Sequence, residues 1–283
     1  MILVTGAAGK TGRRVVQRLA DTGTEVRAML HTPEQLEPLL ELGAREVMVG
    51  DLQTVDDVSR AMDGVRTVYH ICPNVHPREI EIGERAIAAA LAAGVDRFVF
   101  HSVLHPGVEA MPHHWLKHQV ERKLARSGLS FSILQPCAYM QNLSAHVPRM
   151  TVHGRLEVPY DVGAEFSLVD LRDVAAAATT VLTQSGHEGR TYELCGPEPL
   201  SHTRLARTFE SALGRPVEAV SSDPAEWEKK ARSSGLSDYA VDALMKMFRW
   251  YDRNGFVGSP EDLESLLARP ATSFADFVAE VIA

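Results

Sequence analysis

Residues 1–19 read MILVTGAAGKTGRRVVQRL, and this stretch decides the fold. An apolar run rich in β-branched residues ends at Gly6. The apolar residues Val15, Val16 and Leu19 then recur at helical spacing. The stretch therefore predicts a strand, a glycine turn and a helix, in that order.

Three glycines of this turn, Gly6, Gly9 and Gly12, have the spacing GxxGxxG. The first permits a tight bend, the second lets the backbone approach a pyrophosphate, and the third lets the helix pack closely on the strand. Phosphates are expected at the helix N-terminus, where unpaired N–H groups and the helix dipole favour an anion. An ordinary strand-to-helix turn is the alternative, but the strand before and the helix after favour a dinucleotide site. The loop residues expected to bind the cofactor are Gly6, Ala8, Gly9, Lys10, Thr11 and Gly12.

Composition excludes several classes of function. The chain has 283 residues and a net charge of −8, which disfavours direct binding to nucleic acid because phosphate neutralisation needs clustered Lys and Arg. No apolar run reaches the ~18 residues of a membrane span, and no secretory leader is recognisable. Cys72, Cys137 and Cys195 form no CxxC pair. We expect a cytoplasmic protein, monomeric or homodimeric, that acts on a small molecule.

Predicted strands alternate with predicted helices through the first half of the chain, which indicates a parallel sheet with right-handed crossovers. After the first strand, these strands are Glu25 to Leu30, Glu46 to Val49, Val65 to Ile71, Arg97 to Phe100 and Leu129 to Gln135. We predict an α/β fold: a Rossmann-type doubly wound parallel sheet with a smaller, mostly helical lobe covering the substrate groove. The nucleotide-binding domain is expected to take residues 1–137 and about 164–184, and the lobe about 138–163 and 185–283.

The end of the second strand bears on cofactor choice. NAD is usually selected by an acid that binds the ribose 2′-hydroxyl, whereas a 2′-phosphate needs basic neighbours. Residues 29–32 contain no acid, His31 lies among them, and Lys10 is well placed to reach the same phosphate. Lys10 could instead be a solvated loop lysine. The pattern favours NADP(H) over NAD(H).

Further cofactor contacts are expected where other strands end. Asp51 could accept a hydrogen bond from the adenine amino group while Leu52 packs on the ring, or Asp51 could merely cap the helix that starts near Thr54. Ligands of such sheets bind beyond the carboxyl ends of the strands. Cys72, Pro73 and Pro136 are therefore also expected at the cofactor site.

The predicted chemistry lies between residues 102 and 135. Ser102 ends the fifth strand, and His113 and Lys117 share one face of the next helix because they are four residues apart. Reduction of a carbonyl by hydride needs a proton donor and a cation that holds the nicotinamide ribose. We expect Lys117 to hold the ribose. His113 is a candidate acid, titrating near its ordinary pKa of about 6.5; its alternative is a surface or supporting role.

Five histidines (His101, His105, His113, His114 and His118) lie between residues 101 and 118, so a metal site has to be considered. His114 and His118 have the i, i+4 spacing of a zinc helix, but Trp115 follows His114 where the HExxH motif has Glu. No further carboxylate or cysteine ligand is spaced convincingly nearby. We expect no metal.

The chain resembles the NmrA-like family of atypical short-chain dehydrogenases/reductases. The resemblance rests on residues 4–12 (VTGAAGKTG), 94–102 (GVDRFVFHS) and 169–175 (VDLRDVA), on Lys117, Glu121 and Asn142, on 127–129 and 135–136, and on the ending through 258–274. It implies a nucleotide-binding reductase of quinones or dyes, or a co-regulator that senses nucleotides. Two positions depart from relatives: His113 stands where short-chain dehydrogenases have the Tyr of YxxxK, and His31 where relatives often have Arg.

Two functions remain open from the sequence. The first is an NAD(P)H-dependent reductase of an apolar, aromatic or quinone-like molecule, since a quinone accepts hydride without a strong protein acid. The second is a non-catalytic sensor of the NAD(P) pool that acts through a protein partner. Ser102 and Lys117, with Asn74, Tyr139 and Trp250 as candidate pocket residues, favour the reductase. The missing Tyr favours the sensor.

Overall fold

The computed structural model describes residues 1–282, and the chain divides into two compact units. The first unit comprises Met1–Gly107, His113–Gln135 and Leu171–Tyr192, and the second comprises Val108–Pro112, Pro136–Asp170 and the described residues from Glu193 onward. This division differs from the expected one at residues 108–112, 136–137 and 164–170, which belong to the second unit, and at 185–192, which belong to the first.

The first unit is built around a seven-stranded sheet in the order β10-β6-β5-β4-β1-β2-β3. Its strands, numbered along the chain, are β1 (Ile2–Val4), β2 (Val26–Leu30), β3 (Glu46–Val49), β4 (Thr67–His70), β5 (Arg97–His101), β6 (Phe131–Pro136) and β10 (Arg190–Leu194). All neighbours from β3 to β6 pair in parallel. The order 3-2-1-4-5-6 is that of a doubly wound dinucleotide-binding sheet, so the Rossmann-type prediction is confirmed.

Helices connect these parallel strands, as right-handed crossovers require. They are α1 (Lys10–Asp21), α2 (Leu36–Glu41, after a 3-10 turn at Pro33–Gln35), α3 (Val55–Met62), α4 (Glu79–Ala92), α5 (Pro112–Ala125) and α7 (Leu171–Thr183). The side chains of β1 are all buried, and Phe98 and Phe100 of β5 are fully buried. The continuous apolar strands are those of a sheet covered on both faces.

The second unit contains short strands and the C-terminal helices. Its elements are β7 (Ala138–Tyr139), α6 (Val147–His153), β8 (Arg155–Val158), β9 (Glu165–Val169), β11 (Pro199–Ser201), α8 (His202–Leu213), β12 (Glu218–Ser221), α9 (Pro224–Ser233), α10 (Asp238–Asn254), α11 (Glu261–Leu267) and α12 (Phe274–Ile282). The strands form two small sheets, β11-β9-β7 and β12-β8. Phe209 of α8 and Phe274 of α12 pack edge to face in the core of this unit. Within residues 1–282, no helix is long and apolar enough to cross a membrane.

Candidate functional site

The three glycines of the loop between β1 and α1 differ in how much room they leave for a side chain. Gly6 has φ 60°, a conformation that side chains rarely adopt, and a Cβ there would lie 2.8 Å from the carbonyl oxygen of Ile71. A Cβ on Gly12 would lie 2.6 Å from Cα of Ala7. At Gly9, by contrast, the nearest atom is the Gly6 oxygen at 3.3 Å. Gly6 and Gly12 are therefore required by the turn itself, whereas Gly9 leaves an open surface.

The helix that follows this loop presents its N-terminus to the open surface. Gly9 is the N-cap residue of α1 and no side chain caps the helix. The first N–H groups of a helix have no acceptor within the helix, so they can bind an anion. Gly9 and Lys10 are exposed, Ala8 is half-buried, and Thr11 and Gly12 are buried. The loop fits the pyrophosphate of a dinucleotide, with bare backbone where the phosphates must approach.

The ends of β2 and β3 contain the residues expected near the adenosine. His31 directly follows β2 and is exposed. The Asp51 carboxylate accepts the Gln53 N–H at 2.8 Å, and Leu52 is buried. The N-cap residue of α3 is Thr54, so the alternative in which Asp51 caps this helix is wrong. The Asp51 side chain instead closes a turn of its own at the end of β3.

A buried ion pair lies beyond β4 and β5. The Lys117 ammonium donates to the Glu79 carboxylate, with Nζ 2.8 Å from Oε1, and the two side chains are 13% and 2% exposed. The ammonium also lies 5.5 Å from the centre of the Phe100 ring. Burial alone would lower the pKa of Lys117, but the charge of Glu79, its hydrogen bond to the ammonium and the charge of Glu121 raise it above its ordinary value. Lys117 therefore remains a cation although it is buried.

Four buried histidines feel the charge of Lys117, and all of them are neutral near pH 7. Burial lowers the pKa of His70, His101 and His114 to about 3, and that of His113 to about 4. These pKa values include the effect of the positive charge of Lys117, which acts in the same direction as burial on all four imidazoles. The expectation that His113 titrates near 6.5 is wrong, because a buried imidazole beside a fixed ammonium resists a second positive charge.

Hydrogen bonds hold three of these imidazoles. His70 Nδ1 lies 3.0 Å from the Thr5 hydroxyl, and His101 Nδ1 lies 2.6 Å from the Tyr69 hydroxyl. His114 Nδ1 donates to the carbonyl of Leu104 at 2.9 Å. These bonds fix the imidazoles in the interior, where they stay uncharged.

Two of the three predicted catalytic residues contain a buried polar atom without a hydrogen-bond partner among the described residues: Ser102 Oγ and His113 Nδ1. Ser102 directly follows β5 and is 3% exposed. Such unpaired atoms are rare in folded proteins, and a ligand is one explanation for them. Both residues thus retain hydrogen-bonding capacity in the neighbourhood of the strand ends.

The loop after β4 contains two predicted cofactor residues and Val75, and α4 begins after it at Glu79; sequence reasoning missed both Val75 and Glu79. Cys72 is buried, and burial followed by the charge of Glu79 raises the pKa of its thiol, so the sulfur is unreactive; Pro73 is exposed. Val75 has φ 46°, which is strained for a β-branched residue. The sequence signal for Glu79 was a carboxylate at helical spacing from Ile82 and other residues of an apolar helix face.

Two further predicted residues, Pro136 as a cofactor contact and His118 as a possible metal ligand, can also be located. Pro136 ends β6 and is buried in the second unit. His118 Nδ1 is 3.6 Å from a Glu121 oxygen. Throughout residues 1–282, no group of three or more His, Cys, Asp or Glu side chains is arranged to hold a metal ion.

Comparison with known proteins agrees with this geometry. The NmrA-like family matches residues 1–277. The NAD(P)H azoreductase of Xenophilus azovorans is 30% identical over 98% of this chain and 96% of its own length. Quinone oxidoreductase 2 of Escherichia coli is 28% identical over 99% of this chain and 98% of its own. The crystal structure of the E. coli enzyme with NADPH superposes with a TM-score of 0.87, covering 100% of both chains at 26% identity. The chain therefore belongs to the NmrA-like family.

Proposed function

We propose that this protein is an NAD(P)H-dependent reductase, of the atypical short-chain dehydrogenase/reductase type, that acts on an apolar aromatic or quinone-like small molecule. One observation carries the proposal. The open glycine loop follows β1, Cys72 follows β4 shortly after its end, and Ser102 follows β5, and these three strands are neighbours in the sheet. The phosphate cradle and the buried cation thus belong to one edge of one parallel sheet, where such folds bind dinucleotides. The azoreductase and the quinone oxidoreductase support the same activity.

Each residue of this edge has a defined task in the proposal. Backbone N–H groups at the start of α1 bind the pyrophosphate, His31 lies near the adenosine ribose, and Lys10 neutralises a 2′-phosphate, which favours NADP(H) over NAD(H). Asp51 and Leu52 receive the adenine, while Cys72 and Pro73 border the nicotinamide half. Lys117 holds the nicotinamide ribose by charge-assisted hydrogen bonds. When bound, the reduced cofactor supplies the hydride.

Neutral histidines restrict the substrate class. Near pH 7, an imidazole with a pKa of about 4 is not an imidazolium acid, so His113 contributes at most a hydrogen bond. A simple ketone needs a proton as hydride arrives, whereas the oxygens of a reduced quinone take protons from water. The site therefore suits electron-poor acceptors such as quinones. We place the reaction in the cytoplasm, because all three cysteines are free thiols.

Gly9→Leu tests the proposal. The leucine side chain would cover the open backbone, so we expect NADPH binding and NADPH-dependent quinone reduction to be lost while the fold is retained. The matched control for NADPH binding is Gly107→Leu, because an added Cβ on Gly107 meets no heavy atom within 4 Å and this glycine lies between β5 and α5, outside the glycine loop. Calorimetric titration with NADPH and a quinone reduction assay are the measurements. Unchanged NADPH affinity in Gly9→Leu would refute the proposed site.

A sensor of the NAD(P) pool is the second candidate, and the neutral His113 in place of a catalytic Tyr favours it. The two functions differ in turnover. A sensor binds NADPH but does not oxidise it when a quinone is added, whereas a reductase does.

A further inference from the structure

The close packing of α4 against α5 places Glu79 beside Lys117. A Cβ on Gly83 would lie 2.6 Å from a methyl carbon of Val120, so the two helices approach as far as a glycine allows. Glu79 lies one helical turn before Gly83, and Lys117 one turn before Val120. The contact therefore brings the carboxylate at the beginning of α4 to the ammonium on the second turn of α5.

The position of Glu79 on α4 suits a carboxylate. It is the first residue of the helix, where the helix dipole favours negative charge. Its side chain is 2% exposed and its hydrogen bond to Lys117 is 2.8 Å long. An ammonium has three donors, and Glu79 uses one of them. The pair is thus fixed from the Glu79 side, and Lys117 retains donors for another acceptor.

The other titratable groups around Lys117 differ from Glu79 in charge or in contact. The titratable groups that act on it or feel its charge are Cys72 after β4, His70 on β4, His101 on β5, and His113, His114 and Glu121 on α5. The histidines are neutral and the Cys72 thiol is protonated. Glu121 accepts a hydrogen bond from Gln135 at 2.8 Å. Glu79 is therefore the carboxylate in direct contact with the buried ammonium.

We propose that Glu79 is a positioning residue that keeps the Lys117 ammonium charged and in place for its contact with the cofactor. The contact of this charge with the cofactor rests on the proposed reductase function. The effect of Glu79 on the charge of Lys117 does not rest on it, because that effect is present in the protein without a ligand. Without Glu79, burial would favour the neutral amine, and a neutral amine loses its charge-assisted hydrogen bonds.

The first test measures Lys117 directly in the protein without nucleotide. The side-chain nitrogen of Lys117 is followed by NMR in nitrogen-15 lysine-labelled protein and assigned from its loss in Lys117→Arg. We expect the pKa of Lys117 to fall in Glu79→Gln, to fall less in Glu79→Asp, and to stay at the wild-type value in Glu81→Gln. Glu81 is the matched control because it is an exposed glutamate on the same helix. An unchanged pKa of Lys117 in Glu79→Gln overturns the proposal. If Glu79→Gln does not fold, an unchanged pKa of Lys117 in Glu79→Asp overturns the proposal.

The second test measures binding of NADPH and NADH against pH by calorimetry. In Glu79→Gln we expect both affinities to fall, roughly 10-fold at pH values about one unit above the lowered pKa of Lys117, because both nucleotides share the nicotinamide ribose. The wild type and Glu81→Gln should stay flat over the same range. A variant that loses only thermal stability, with wild-type affinities at every pH, shows a merely structural pair and overturns the proposal. If the wild type binds neither nucleotide, the proposed function fails, and the NMR titration alone decides whether Glu79 holds the charge.

Discussion

The glycine loop and the buried ion pair belong to the same edge of one sheet, but they are built in opposite ways. The loop depends on the lack of side chains at Gly6, Gly9 and Gly12, which lie within a short stretch of sequence. The ion pair of Lys117 and Glu79 works through side chains from two helices far apart in sequence, and buried neutral histidines feel the charge of its lysine. A site made of backbone is thus sensitive to added volume, and a site made of buried charge is sensitive to pH and to the loss of a partner.

Lowering the pH should give the largest effect, because it acts on the buried histidines near the ion pair and not on the glycine loop. His70, His101, His113 and His114 bind protons near pH ~6.5 when unfolded, but only near 3 to 4 when folded. The unfolded state therefore binds more protons between these values. Stability is complete above about pH 6.5 and falls as pH decreases, by up to about 1.4 kcal/mol per pH unit for each histidine. Urea midpoints at pH 7 and pH 5 measure this loss. Equal midpoints would mean that these imidazoles are not buried as described.

Gly12→Ala should be the most damaging single change in the loop. Its Cβ would lie 2.6 Å from Cα of Ala7, and backbone cannot yield as a flexible side chain does. We expect lower thermal stability together with lost NADPH binding. Gly9→Ala is the matched control, since its Cβ meets one atom at 3.3 Å, and it should melt close to the wild type. Equal melting temperatures of the two variants would contradict the assignment of different tasks to these glycines.

Lys117→Met should act on the buried pair by leaving the Glu79 carboxylate without its partner. Breaking such a pair typically costs about 3–5 kcal/mol of unfolding free energy. The double variant Lys117→Met with Glu79→Gln removes both charges and should recover part of that loss. Chemical denaturation of the three proteins measures the coupling. If the double variant is no more stable than Lys117→Met, the two side chains do not form the pair.

Lys10→Glu should change cofactor selectivity without changing stability. Only NADPH has a 2′-phosphate for this lysine, and a charge-assisted hydrogen bond is worth roughly 1.5–3 kcal/mol, or about 10- to 100-fold in affinity. Lys10 is exposed, so the fold should tolerate the change. Titration with NADPH and NADH gives the ratio. Equal weakening of both nucleotides would assign Lys10 to the pyrophosphate or to the loop structure.

His113→Ala should have the smallest effect on quinone reduction. Because the pKa of His113 is about 4, removing it should slow turnover of a quinone by less than about 10-fold and should leave the rate flat near pH 6.5. A pH–rate profile of wild type and variant on a quinone and on a simple ketone is the measurement. A wild-type limb near pH 6.5 that disappears in His113→Ala would restore this residue as a titrating acid.

The amino-acid sequence by itself determined the sheet, the glycine loop and the family. Strand periodicity, glycine spacing and helix stop signals are local, so the Rossmann-type order and the task of Gly12 could be predicted before packing was known. The NmrA-like resemblance was also carried by contiguous motifs and is confirmed over residues 1–277. The segment after residue 137 was read less well, because β7, α6 and β8 are too short to show a period.

Tertiary structure alone decided the chemistry around Lys117. The sequence around His113 does not show that it is neutral, because its pKa depends on burial and on the charge of Lys117. The charge of Lys117 depends in turn on Glu79, which belongs to another helix. Nor does a sequence position show that Glu79 faces Lys117, since that contact follows from the approach of α4 and α5 at Gly83. Electrostatic energies depend on distance and on the surrounding dielectric, and both are set only when the helices pack.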